Sequence, residues 1–342
     1  MSRRALTLLL ATALALGLAL AAGFTTVPYV ALGPGPAYDT LGAVDGTTVI
    51  TITGRQTYPT DGHLDLTTVG VTDHLTLAEA LQGWLSSSTE VLPREEVFPP
   101  DQTTQQSDRE NAQQMVQSQD NATTAALRYL GLPSTTSVSV AAVAKGAPAD
   151  GRLRVGDVLV SVDGTPVTGS AQLRALISRR SPGASVTVGY RRTGTAGSVV
   201  LTTSSSGGAA PRAVVGITPD ERSSFGVKVA ISLRDVGGPS AGLMFTLGIL
   251  DKLGKESLTG GRSIAGTGEI SPDGTVGPIG GIAEKLIGAR RRGATAFLVP
   301  DANCAEATVG PPAGLRLIRV QTLKDALAQL ATLRAGGDPA RC

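Results

Sequence analysis

Aromatic side chains are scarce in this chain of 342 residues: five Phe, five Tyr and one Trp make up 3% of it. Its interior must therefore be assembled from Val, Leu, Ile and Ala, within an apolar content of 41%. Charged residues are also few, at 17%, and the formal net charge is +2 with no basic block. That composition excludes a chain kept disordered by charge, and a multi-span membrane protein as well. It also argues against nucleic acid as a partner. Histidine occurs only as His63 and His74, and cysteine only as Cys304 and Cys342. Zinc-type Cys/His spacing and C-x-x-C pairs are lacking, so no metal and no cofactor is expected. The phosphate loop G-x-x-x-x-G-K-[ST] is lacking too, since Gly254-Lys255 runs into Glu256. Two readings of the cysteines stay open: one disulfide pinning the tail in an oxidising compartment, or two unpaired thiols. What the chain has in excess is glycine, 43 residues, beside 20 prolines.

One long apolar run stands near the N-terminus. Arg3 and Arg4 lead into Ala5–Ala22, eighteen residues without a charge, and the run extends through Phe24 to Val30. Roughly 18–20 apolar residues cross the ~30 Å hydrocarbon core of a bilayer. With no further basic residue before Arg55, the positive-inside bias puts the N-terminus in the cytoplasm and the rest outside. Ala19-Leu20-Ala21 also has the small-x-small form of a signal cleavage site. A retained single-pass anchor in the cell membrane and a cleaved signal therefore both stand, and either gives an extracytoplasmic address.

Residues 1–30 are thus read as the anchor and 31–133 as an extracytoplasmic α/β segment. Gly33-Pro34-Gly35-Pro36 predicts a turn just outside the membrane. Val49–Thr53 and His63–Val71 alternate apolar and polar residues, as strands do. Leu75–Leu85 has helical spacing after Thr72-Asp73. Asp108–Leu130 sets Ala112, Met115, Val116, Ala122, Ala126 and Leu130 on one helical face. Leu92–Thr104, acidic, polar and proline-bearing, reads as a loop. The two apolar helix faces suit packing or partner contact equally, and an oligomer is compatible with the sequence.

Residues 134–202 are rich in short strands, with one helix at Ser170–Arg179. Gly151-Arg152-Leu153-Arg154-Val155-Gly156-Asp157-Val158-Leu159 feeds through Val160-Ser161-Val162 into Asp163-Gly164. This stretch resembles the G-x-L-x-x-G-D-x-[IL]-x-x-[VI]-[DN]-G segment of bacterial protease-associated PDZ domains. The resemblance implies a β-sandwich or barrel that binds extended C-terminal peptides by strand addition; a module used only for packing is the alternative. Thr203–Pro211, rich in Ser, Gly and Ala, predicts a flexible linker over 203–213. A last domain then occupies 214–335, with a short tail at 336–342.

The last domain alternates strands and helices. Gly226–Leu233 reads as a strand, followed by Gly237-Gly238-Pro239-Ser240-Ala241-Gly242 and a helical run from Leu243 to Leu253. Ser240 is thus placed at a helix start, where orphan N–H groups and the helix dipole favour negative charge. On the hexapeptide alone, a capping serine is the blander reading. Neither histidine lies in this domain, so a His-based triad is not expected. Lysine is rare, six in the chain, and Lys285 sits on a helix with Ile282 at i−3 and Gly288 and Ala289 at i+3 and i+4. Its ammonium either snorkels to water or is held dry with a depressed pKa.

Four ordered motifs add to this reading: Gly237–Gly242; Ala265-Gly266-Thr267-Gly268-Glu269-Ile270; Asp273–Gly281; and Glu284-Lys285-Leu286. Together they resemble the Lon protease proteolytic domain over about 115 residues. The resemblance implies an α+β multi-domain chain: an N-terminal transmembrane helix, then the PDZ-like unit, inserted before a C-terminal Lon-type α/β proteolytic domain. The whole chain is similar to the membrane-anchored PDZ–Lon-like proteases of bacteria. It implies Ser240 as nucleophile and Lys285 as base of a Ser-Lys endopeptidase acting on protein or peptide substrates. Thr267 is a candidate partner of the lysine, and the backbone from Gly238 through Pro239 to Ala241 a candidate oxyanion site. ATP-dependent relatives carry an acid three residues before the serine, where this chain has Gly237, and the ATPase module is absent. ATP-independent hydrolysis is therefore expected. A catalytically inactive, membrane-tethered PDZ binding or regulatory protein is the alternative.

Overall fold

A computed structural model of the chain describes residues 3–86, 88–98, 102–207, 211–234 and 236–342. They form two compact units, residues 1–131 with 227–342, and residues 132–226.

The first unit is built on six strands in the order Arg316–Val320, Ala296–Pro300, Ser263–Gly266, His63–Thr72, Tyr29–Asp39, Glu90–Pro93. The first four run parallel, and the last two are each antiparallel to their neighbours. Parallel neighbours require crossover connections, and the helix Ile282–Arg291 lies between Ser263–Gly266 and Ala296–Pro300 in the chain. Ala296–Pro300 is buried at every residue, which is why its sequence shows no alternation. Segment 31–133, set apart in the sequence reading, lays three strands in the same sheet as residues 263–320. Its long helix, Thr104–Tyr129, packs on the helix Gly242–Leu253.

Local chemistry moves several boundaries. Thr103 and Gln106 form a capping box, so the long helix begins before Asp108. Thr76 and Glu79 do the same for Leu77–Trp84, rather than Thr72-Asp73. Gly33–Pro36 is not a turn but part of the strand Tyr29–Asp39, whose register with His63–Thr72 shifts between Pro34 and Ala37. A bulge tolerates prolines that cannot donate to the ladder. The expected loop 92–104 contains the end of the strand Glu90–Pro93 and the short helix Arg94–Val97; residues 99–101 fall outside the described residues.

The N-terminal helix, Arg3–Phe24, has 22 residues and is long and apolar enough to cross a membrane. At the other end of the chain Cys304 and Cys342 form a disulfide. It fastens the tail, where Arg319 N–H also donates to the Ala340 carbonyl at 3.0 Å. Closing a 38-residue separation constrains the unfolded chain by about 4 kcal/mol. Cys304→Ser is therefore expected to lower the denaturant midpoint clearly; a midpoint equal to that of the oxidised wild type would show that the bond contributes nothing.

The second unit is an antiparallel sheet in the order Thr195–Thr202, Ser185–Arg192, Val158–Val162, Ser134–Val143, Ile217–Phe225. Val138, Val140, Leu159, Leu173, Val188 and Leu201 are among its core, with Leu173 supplied by the helix Ser170–Ser178. The predicted linker is ordered at both ends. Thr203 is buried and Ser204–Ser205 pairs with Ala213–Val214, while 208–210 fall outside the described residues. Its Ser/Gly composition signals a loop, but backbone pairing makes the flanks a hairpin, and Ile217–Phe225 closes the sheet beyond it.

Candidate active site

Ser240 stands directly before Ala241, the N-cap of the helix Gly242–Leu253. The helix cannot start earlier, because From Gly242 to Asp251 every residue is buried, so the serine rests on a helix gripped on all sides. A Cβ at Gly242 would fall 2.7 Å from Ile270 Cγ2, so only glycine lets the helix approach that strand. Ser118, from the long helix, donates its hydroxyl to the Pro239 carbonyl at 2.9 Å.

Lys285 lies on the helix Ile282–Arg291 among the buried Ile282, Leu286 and Ala289, and only 3% of it is exposed. Its ammonium does not snorkel to water. Lys285 Nζ donates to Thr267 Oγ1 at 3.3 Å, and that hydroxyl donates to the Ser240 carbonyl oxygen at 3.1 Å. The same carbonyl accepts from Gly268 N–H at 2.8 Å, and Leu243 N–H donates to Gly268 O at 3.0 Å. The Thr267-Gly268 backbone thus clamps the serine turn while the threonine side chain bridges to the lysine. Burial pushes the Lys285 pKa down from 10.5 to about 8, against the opposing pull of Glu269 and Glu284. Glu284 is itself pushed up by burial.

Ser240 and Lys285 line one cleft of about 580 Å³ with Ala241, Glu269 and the strand residues Thr67–Val71. His63–Thr72 pairs with Ser263–Gly266 only as far as Leu66. Past that point this edge has no strand partner among the described residues, so Thr67–Val71 offers the cleft an unpaired backbone edge.

The oxyanion candidates narrow in the structure. Gly238 N–H is committed to the Asn111 carbonyl at 2.9 Å, and Pro239 has no N–H. Ser240 and Ala241 remain as backbone donors. At Gly237, where ATP-dependent relatives carry an acid, a Cβ would sit 2.8 Å from Asn111 Cβ; the long helix fills the place of such a side chain. Asn111, Ser118 and Thr67–Val71 escaped the sequence reading. Asn111 and Ser118 are polar residues in a polar helix, and the strand's edge shows only once its partner stops at Leu66.

Thr267→Val, which keeps the shape and removes the hydroxyl, tests the bridge. A hydrogen bond to an ionisable group is worth about 1.5–3 kcal/mol. Peptide hydrolysis is therefore expected to fall roughly 10- to 100-fold, with Thr267→Ser retaining most of it. Equal rates in wild type and Thr267→Val would remove the threonine from the site.

In the second unit, a groove of about 610 Å³ runs between Leu173, Arg174 and Ile177 of the helix and Val215, Ile217 and Pro219. Ile217–Phe225 is the outermost strand of its sheet, so one backbone edge is open for an added strand.

Residues 217–332 match the Lon protease (S16) C-terminal proteolytic domain. The chain thus carries a serine-protease domain of the Lon type. Residues 108–203 match a PDZ domain, so a peptide-recognition module accompanies the protease. Solved structures similar to part of the chain include the PDZ domain of an SdrC-like protein from Listeria monocytogenes. That match is 22% identical, covers 24% of this chain and 85% of the other, and has a TM-score of 0.23. The second domain of a Listeria protein is 23% identical over 25% of this chain and 83% of its own, with a TM-score of 0.23. A Geobacillus thermodenitrificans structure is 29% identical over 20% and 78%, with a TM-score of 0.19. No curated protein matches the sequence.

Proposed function

We propose that this chain is an ATP-independent endopeptidase, held in the membrane by Arg3–Phe24, that cuts extracytoplasmic proteins or peptides with a Ser240–Lys285 dyad. The observation that carries the reading is the dry lysine, depressed to about 8, in one cleft with a serine at a helix start. Neutral Lys285 takes the Ser240 Oγ proton as the oxygen attacks a peptide carbonyl. The Ser240 and Ala241 N–H groups face the developing oxyanion. The C–N bond then breaks, the ammonium returns its proton to the leaving amine, and water, deprotonated by the same lysine, releases the acyl group. Ser240 and Lys285 share no hydrogen bond in this structure; substrate closure of the cleft draws them together, as apo sites commonly require.

The unpaired edge of Thr67–Val71 favours substrates in extended form, and the groove of the second unit suits recognition of a peptide end by the same mode. Arg3 and Arg4 before the helix support an outward-facing catalytic part, as does the disulfide. The lack of a phosphate loop fits hydrolysis without nucleotide.

A peptidyl boronate or fluorophosphonate tests the nucleophile. Wild type is expected to gain one adduct, mapped by mass spectrometry to the peptide containing Ser240. Labelling at another serine, or none at concentrations that block activity, would refute the assignment.

A further inference from the structure

We propose that the outward face of the helix Leu77–Trp84 lies in the lipid interface beside the anchor, as a second point of membrane contact. Leu81, Trp84 and Leu85 are 47%, 52% and 89% exposed. At i, i+3 and i+4 they share one side of the helix. The side facing inward carries the small Ala80 and Gly83. This inverts the usual amphipathic arrangement, in which the large apolar residues face the core. Trp84 is the only tryptophan in an aromatic-poor chain, and its ring meets that of Tyr29 edge-on at 5.4 Å.

The occupant follows from where the helix is fastened. Arg3–Phe24 ends at Phe24. Val27 N–H donates to Leu75 O and Leu77 N–H to Thr25 O, each at 2.8 Å, and Thr26 bridges to Thr76. The first residue of the exposed helix is therefore hydrogen-bonded to the first residue beyond the span. The helix is only about 12 Å long, so its whole face stays close to the level at which the chain leaves the bilayer. Trp and Tyr gather at that level, and apolar helix faces there sink about 5–10 Å into the headgroup boundary. A single span leaves the attached unit free to swivel. A second contact fixes its tilt, and with it the height of the cleft above the surface.

The proposal rests on Arg3–Phe24 being a retained anchor, and the experiment separates the two. Full-length protein is reconstituted in phosphatidylcholine vesicles and floated on a density gradient, which reports the anchor. Trp84 emission is then recorded with lipids brominated near the headgroup end of the acyl chain. The expected result is flotation, blue-shifted emission and loss of most of it to the brominated lipid. A Leu81→Ser/Leu85→Ser variant is expected to float and cleave soluble peptide like wild type, with red-shifted emission and weaker quenching. Flotation without lipid quenching overturns the docking while sparing the anchor. Shielding from acrylamide without lipid quenching assigns the face to a second copy, and overturns it as well. Failure to float removes the anchor and the proposal together.

Discussion

Ser240→Ala is expected to abolish peptide-bond cleavage while leaving the fold intact. Removing the nucleophile of a serine protease costs roughly 10⁴- to 10⁶-fold in kcat, so residual turnover should sit at the background of the assay. The Oγ is spent on chemistry and not on structure. The contacts that hold the turn run through the Ser240 backbone carbonyl, which accepts from Thr267 and Gly268, and through the buried helix behind it. Alanine keeps all of these, so the thermal midpoint should stay within the error of the wild-type value. Cleavage at a wild-type rate by this variant would rule out the dyad. Loss of activity together with loss of fold would show that the serine holds the turn instead.

Lys285→Met is expected to do two things at once: remove activity and stabilise the fold. Holding the ammonium at about 8 instead of 10.5 disfavours its charged form in the folded state by about 3 kcal/mol. Below the folded value, Lys285 is charged in both states and the fold carries that whole penalty. As pH rises through the folded value towards 10.5, the unfolded chain binds more protons than the folded one, and the penalty fades. Methionine removes it at every pH. The variant should thus exceed wild type by about 3 kcal/mol near neutrality in urea unfolding, with the difference closing above pH 10.5. The same pKa shapes wild-type activity, because only the neutral amine can act as base. Log kcat/KM should climb about tenfold per pH unit and level off above about 8. A profile flat across that range would sink the lysine as base, and a destabilised Lys285→Met would sink its burial as a charged group.

Much of the site was legible along the chain because its motifs are local. Gly237–Gly242 breaks the backbone immediately before an apolar run, and physics leaves a helix no earlier place to start. Thr267 and Lys285 each sit in a short, distinctive segment. The fate of the lysine was not legible. Ile282, Gly288 and Ala289 permit both a dry and a snorkelling amine, and only the packing of Leu286 and Ala289 beneath Thr267 seals it from water. The Gly33–Pro36 run misled, because a strand in the middle of a sheet absorbs two prolines by a bulge that no local pattern announces. Thr203–Pro211 misled in the same way: a serine-rich stretch looks like a linker until its ends find each other.

By itself the sequence determined the apolar helix, the order of modules and the residue types available for chemistry, since each depends on neighbours within a few turns of chain. Tertiary structure decided what depends on distant partners. It put strands from residues 29–93 into one sheet with residues 263–320 and drove Asn111 into the space beside Gly237. It also left the edge of Thr67–Val71 unpaired along the cleft and buried Lys285. Desolvation and strand pairing are properties of the assembled interior, and no run of residues carries them alone.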